Sequence, residues 1–297
     1  MDLTRIEAPD FDLAMTLNSG QVFHWEKYGS GFAGAIGKNA IYVEQRGDIL
    51  KVRFGERPKP ACQARALSQI VANYFALDHP LEEICASFPR DPVMDAARDF
   101  CRGLRIIRQP KWECLATFIC SSMKQVAHIR QISRALRQRF GERKQIGGQE
   151  VFLFPSPDRL ARTTESELRK CGLGYRAKNL LATAKRVASG AADLDSWSAL
   201  SERQLREQLC ELPGVGMKVA NCVMLFAYER VTAFPIDVWI ERVLRERYFV
   251  RGRKVTARAM AEFVANYFGA RGGYAQQYLF HHARMTGKRK SRSHSID

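Results

Sequence analysis

The apolar pattern of this chain is β-like in its first third and helical almost throughout after a break at Gln109-Pro110, which points to a fold in which sheet and helices are segregated. Before the break, Ile41-Tyr42-Val43 and Ile49-Leu50-Lys51-Val52-Arg53-Phe54 flank Arg46-Gly47-Asp48, which predicts a β-hairpin bounded by turn residues. Gly29, Gly31, Gly34 and Gly37 punctuate the stretch ahead of it. From about Ala61 the spacing lengthens to that of a helix, with Ala66, Ile70, Tyr74 and Phe75 expected on one face. After the break, residues 112–122 and 126–140 predict two helices about a polar stretch at Met123-Lys124-Gln125, and Gly141 suits the stop of the second. Thr164-x-x-Glu167 and Ser201-x-x-Gln204 match the capping box that opens a helix. The expected fold class is α+β. An N-terminal antiparallel β domain spans 1–110, a mainly helical domain spans 111–284, and 285–297 form a basic tail too polar to pack.

The densest signal lies between 202 and 247. A helix expected from Glu202 runs into Leu212-Pro213-Gly214-Val215-Gly216, and a second begins near Met217. Gly214 and Gly216, one residue apart, permit a tight reversal with positive φ beside a helix N-terminus whose free N–H groups point outward. Such a helix-hairpin-helix can bind a phosphate through backbone donors, whatever the base sequence. An ordinary αα-corner would present the same pattern.

Lys218 falls in the first turn of the second helix. A helical lysine is usually a solvated charge. Here the helix dipole disfavours a cation and favours the neutral, nucleophilic amine. Phe234-Pro235-Ile236-Asp237 follows, with Asp237 at the start of another helix. Asp237 taken alone is an N-cap. Paired with Lys218 it suits N-glycosidic bond cleavage: a carboxylate stabilises the oxocarbenium-like sugar, and a lysine amine attacks C1′ and passes through a Schiff base to β-elimination.

Charge supports that direction. Lys plus Arg total 47 against 31 Asp plus Glu, a net charge of +16 with a pI near 9.7, which favours polyanionic partners. No run approaches the roughly 18 apolar residues a membrane span needs. The N-terminal MDLTRIEAPDFDL lacks a charged-then-apolar signal pattern, so an intracellular protein is expected. Eight cysteines, at 62, 85, 101, 114, 120, 171, 210 and 222, form no CxxC pair, and six histidines form no HExxH. Buried reduced thiols are expected, with neither a metal site nor disulfides.

LPGVGMKVANC followed by FPIDVW resembles the helix-hairpin-helix DNA glycosylase superfamily, specifically the 8-oxoguanine DNA glycosylase/AP lyase family. The resemblance starts at 18–25, NSGQVFHW, and continues through Tyr74-Phe75, 113–122, 172–177 and Gly273-Tyr274-Ala275-Gln276. It implies a TBP-like N-terminal β domain and base-excision repair of 8-oxoguanine in duplex DNA. Lys218 would be the nucleophile and Asp237 its acidic partner. Gln276 would bond the Watson–Crick edge of a flipped base, with Phe280 and Cys222 on its faces. The spacings 276/280 and 218/222 place each pair on one helix face, although core packing alone explains Phe280 and Cys222 equally well. The Gly20 carbonyl would accept from the N7–H that oxidation at C8 creates. Tyr175 resembles the aromatic wedge, and Arg176 a reader of the orphaned cytosine.

Three positions depart from the family's best-known pattern. Met123 lies where an asparagine run is common, His128 where a second cytosine-reading arginine is expected, and Trp239 where a histidine near the DNA backbone is frequent. A relaxed preference for the opposite base is therefore expected. No cysteine follows Cys222, which argues against the iron–sulfur relatives. The expected cofactor is none, with a monovalent or divalent cation at the hairpin as an optional extra. The expected partner is duplex DNA containing an oxidised purine, bound by a monomer. A non-enzymatic helix-hairpin-helix module would need the hairpin and basic surface, but not Lys218, Asp237 and Gln276 together.

Overall fold

Residues 4–54 form one antiparallel sheet in a computed structural model that describes residues 3–55, 61–121, 125–249 and 255–292, without the side chains of 61–64 and 288–292. Its strands are β1 (Thr4–Glu7), β2 (Glu26–Tyr28), β3 (Gly31–Ile36), β4 (Asn39–Arg46) and β5 (Ile49–Phe54), in the order β1-β5-β4-β3-β2. The predicted hairpin is β4–β5, closed where Arg46 pairs with Ile49. Helix α1 (Leu13–Asn18) sits between β1 and β2.

The period of two along β3 explains its continuous burial. Phe32 and Ile36 face the cluster with Ile41, Val43, Leu50, Val52, Tyr74 and Phe75. Ala33 and Ala35 face Ile146, Val151 and Leu153 on the opposite side. That second cover comes from a two-stranded ribbon, β6 (Arg143–Ile146) and β7 (Gln149–Phe152), inserted far along the chain.

Three helices follow the sheet: α2 (Ala61–Tyr74), α3 (Leu81–Ala86) and α4 (Pro92–Phe100). The buried face of α2 differs from expectation. Ala66 and Ile70 are exposed, whereas Val71, Tyr74 and Phe75 are buried, because the sheet covers only the last turn of the helix. Helices α3 and α4 contribute Leu81, Ile84, Met94 and Ala97 to the larger helical core, so the apolar clusters part near residue 80 as well as near 107.

The remaining helices are α5 (Lys111–Ser121), α6 (Val126–Phe140), α7 (Pro157–Ala161), α8 (Glu165–Leu168), α9 (Arg176–Ala188), α10 (Glu202–Cys210), α11 (Met217–Ala227), α12 (Val238–Val243), α13 (Ala257–Phe268) and α14 (Gly272–Arg292). Both predicted capping boxes form, at Thr164/Glu167 and Ser201/Gln204. Helix α5 is buried from Glu113 to Ser121 and is the axis about which α6, α9 and α11 pack. Glu113 accepts from Arg137 of α6 and lies 3.2 Å from His24 Nδ1. Burial pushes the Glu113 carboxyl up and His24 well down, so this contact ties the sheet side to the helices without a freely ionising histidine.

Helix α14 runs on to Arg292, into the stretch read from sequence as an unpacked tail, and 293–297 lie outside the described residues. Seven cysteines are free, five of them buried, with Cys85 and Cys210 half-buried. The Cys62 side chain lies outside the described ones. Among the described residues no helix is long and apolar enough to cross a membrane.

Candidate active site

The reversal at 212–216 is made by one left-handed glycine. Gly214 has φ +83°, and a β-carbon there would lie 2.8 Å from Asn179 Cβ of α9. Gly216 has φ −99° and ψ 179°, extended backbone open to any residue, so the expected second positive φ is absent. Gly216 is the N-cap of α11 and offers no side-chain partner to the helix N–H groups. The hairpin is held from behind by Thr183 Oγ1, which donates to the Pro213 carbonyl at 3.0 Å.

Lys218, second residue of α11, is half-buried. Its Nζ lies 3.2 Å from Ser121 Oγ at the end of α5 and 5.2 Å from the centre of the Phe118 ring. One turn on, the buried Cys222 thiol is pushed up to about 11 by burial, eased by the Lys218 charge and raised further by Asp237. The thiol therefore lies within reach of both charges and is neutral at physiological pH.

Asp237 is the N-cap of α12. Its Oδ1 accepts from the N–H groups of Trp239 at 3.0 Å and Ile240 at 2.9 Å. Burial raises its carboxyl above the ordinary value, and the two N–H groups and Lys218 pull it back only in part. The carboxylate caps the helix and also feels the Lys218 charge.

Helix α14 carries Gln276 and Phe280 and packs against α12, whose N-cap is Asp237. Gln276 is buried and its Oε1 has no hydrogen-bond partner. Phe280, one turn later, packs on the apolar cluster that contains Cys222. Gly20 has φ +92°, and a β-carbon there would be 3.0 Å from Phe280 Cε1. Residues from both ends of the chain thus meet over α14.

The candidates for DNA contact are more scattered. Tyr175 is 58% exposed at the start of α9. Arg176 is folded inward: it is buried, its Nη1 donates to the Leu173 carbonyl at 3.3 Å, and it stacks over the Tyr175 ring. His128 is exposed near the start of α6, and Met123 lies outside the described residues. Trp239 is half-buried against Gly287 of α14, with the Arg242 guanidinium 5.4 Å from its ring centre.

A model of the 8-oxoguanine DNA glycosylase N-terminal domain matches residues 4–115, and one of the HhH-GPD superfamily of base excision DNA repair proteins matches residues 116–266. The chain belongs to the 8-oxoguanine DNA glycosylase family. N-glycosylase/DNA lyase OGG1 of Arabidopsis thaliana is 30% identical over 282 residues, covering 91% of this chain and 77% of that one. Among solved structures, MBOgg1 in complex with a low-affinity DNA ligand superposes with a TM-score of 0.89 at 31% identity, over 97% of each chain. The Clostridium acetobutylicum 8-oxoguanine glycosylase/lyase, bound to duplex DNA with cytosine opposite 8-oxoguanine, gives 0.87 at 28% identity over 96% of each. As a member of the 8-oxoguanine DNA glycosylase family, this chain is a bifunctional glycosylase/AP lyase.

Several neighbours of this glycosylase site escaped the sequence reading. Ser121 and Phe118 were visible only as parts of a motif, with nothing to point them at Lys218. Met217 and Val238, 60% and 75% exposed, directly flank Lys218 and Asp237. An apolar residue at the open first turn of a helix was their available signal. Arg284 lies one turn beyond Phe280, a spacing that could have revealed it.

Proposed function

We propose that this enzyme excises 8-oxoguanine from duplex DNA through a Schiff base on Lys218 and then cleaves the strand at the abasic site. The observation that carries the substrate is the buried, unpartnered Oε1 of Gln276, one helical turn before Phe280, which itself packs on Gly20. A lone acceptor suits the N1–H and N2–H donors of a guanine-type edge. A flipped base supplies the partner that the amide lacks and stacks on Phe280, with Cys222 on its other face.

In the proposed reaction the neutral Lys218 amine attacks C1′ as the C1′–N9 bond breaks, and the base leaves with the bonding electrons and takes up a proton. Asp237 stabilises the positive charge that develops on the sugar. Ring opening gives the iminium. Loss of a C2′ proton then expels the 3′-phosphate, and water releases Lys218 from the sugar fragment. Ser121 Oγ accepts from Lys218 Nζ at 3.2 Å and holds it beside the Phe118 ring. Every step uses side chains, backbone and water, and one copy of the chain suffices.

The Gly214–Gly216 reversal would hold a phosphate at the open start of α11, beside Lys218. Tyr175 would enter the stack. On the opposite strand, exposed His128 and inward-folded Arg176 offer a weaker grip on cytosine than an arginine pair, so the opposite base is read loosely. Borohydride trapping with 8-oxoguanine duplexes tests the whole scheme. A covalent adduct is expected, and Lys218→Gln removes it. Retained DNA binding with no adduct from the wild-type protein would make the chain a binding module instead.

A further inference from the structure

Between Asn18 and Gln21 the backbone carbonyls are treated unequally. Arg284 Nη2 donates to the Asn18 carbonyl at 2.5 Å, Gln277 Nε2 to the Ser19 carbonyl at 3.2 Å, and Gln109 Nε2 to the Gln21 carbonyl at 2.8 Å. Among the described residues no donor is bonded to the carbonyl of Gly20. Three acceptors are pinned by side chains, and the one between them is left available.

Arg284 is the unexpected member of this set. It is buried, its Nε has no partner, and its guanidinium meets a carbonyl and His281 Nδ1, with no carboxylate in hydrogen-bond contact. A second cation, Arg130, approaches from α6 and donates to Asn18 Oδ1 at 3.0 Å. Burying a guanidinium without a close counter-ion is costly, and an apolar side chain would fill the space at lower cost. The arrangement is thus poorly explained by stability. Arg284 does lie over the Phe280 ring at 5.6 Å, and its Cζ is 3.6 Å from where a Gly20 β-carbon would be. One side chain therefore touches the two elements between which the base would lie.

We infer that Arg284 is a specificity-positioning residue, which fixes the 18–20 backbone so that the Gly20 carbonyl stands open at a set distance from the Phe280 face. The inference rests on the proposed reading of 8-oxoguanine. The two oxidation states of the base differ at N7, an acceptor in guanine and a donor in 8-oxoguanine, so the position of one backbone acceptor decides between them. Loosening that acceptor should erode discrimination more than affinity. Asp237 lies near enough for its charge to favour the Arg284 guanidinium.

The test is equilibrium binding on a Lys218→Gln background, with duplexes carrying 8-oxoguanine or guanine opposite cytosine. The parent should prefer 8-oxoguanine. Arg284→Met, which keeps the apolar stem, should lower the ratio of the two affinities at least tenfold, and Arg284→Lys, with one donor for the Asn18 carbonyl, should restore most of it. An unchanged ratio in Arg284→Met, including a parallel loss of both affinities, overturns the inference. A parent with no preference for 8-oxoguanine removes the substrate reading, and the role of Arg284 with it.

Discussion

Gly20 packs so closely against Phe280 that a β-carbon on Gly20 would sit 3.0 Å from Cε1 of the ring, on a backbone with φ +92°. Gly20→Ala therefore meets two penalties. The left-handed backbone costs about 1–2 kcal/mol for an L-residue, and the Phe280 ring must shift to admit the methyl group. A lower melting temperature and weaker binding to 8-oxoguanine duplexes are expected together. Binding as tight as that of the parent would show that the two residues do not bound the base.

Asp237 allows capping and chemistry to be separated. Asparagine caps a helix as well as aspartate does, and it removes the cost of a buried charge. Asp237→Asn should thus melt at or above the wild-type temperature. Single-turnover excision should fall by roughly 100-fold or more, the scale of losing one preorganised electrostatic contact to a transition state. Excision within threefold of wild type would leave Asp237 as a cap only.

The same carboxyl sets a pH limit. Burial raises it, and the proposed reaction needs it ionised, so excision should decline as pH falls through a value above the usual ~4 of aspartate. For stability the sign is opposite to that of a salt-bridged aspartate. The folded state binds this proton more readily than the unfolded chain does, so ionisation of Asp237 costs stability above its folded value, and that cost is relieved as pH falls towards the unfolded one. A pH–rate profile with its acid limb at or below ~4 would contradict the burial argument.

Opposite-base preference is the most open to a direct assay. With His128 exposed and Arg176 turned onto Tyr175, excision opposite cytosine, thymine, guanine and adenine should span less than about tenfold, or ~1.4 kcal/mol. Trapping yields against the four duplexes measure it. Loss of activity with every base except cytosine would require Arg176 to unfold towards the DNA on binding.

Local patterns were the legible part of this chain. The two capping boxes, the β4–β5 turn and the N-cap at Asp237 each depend on residues within a few positions, and each formed as the sequence implies. The buried face of α2 was misjudged because it depends on how far a sheet reaches along the helix, which no local spacing records. Lys218, Cys222 and Asp237 could be grouped from sequence through one helix and one nearby cap. Ser121 and the Glu113–Arg137–His24 contact could not, since each is a polar meeting between distant segments with no periodic trace. Gly216 shows the limit of motif reading: its place beside Gly214 implied a shared conformation, and only one of the two adopts it.

The proposed base-recognition space joins residues 18–21 to α14, whereas Lys218, Asp237 and the hairpin lie between them in the chain. During synthesis Lys218 and the hairpin leave the ribosome before Gln276, Phe280 and Arg284 do. A nascent chain without α14 also lacks Tyr274, Tyr278 and Leu279, which lie fully buried in the helical core. The core is therefore closed by the same late segment that carries the proposed readers of the base.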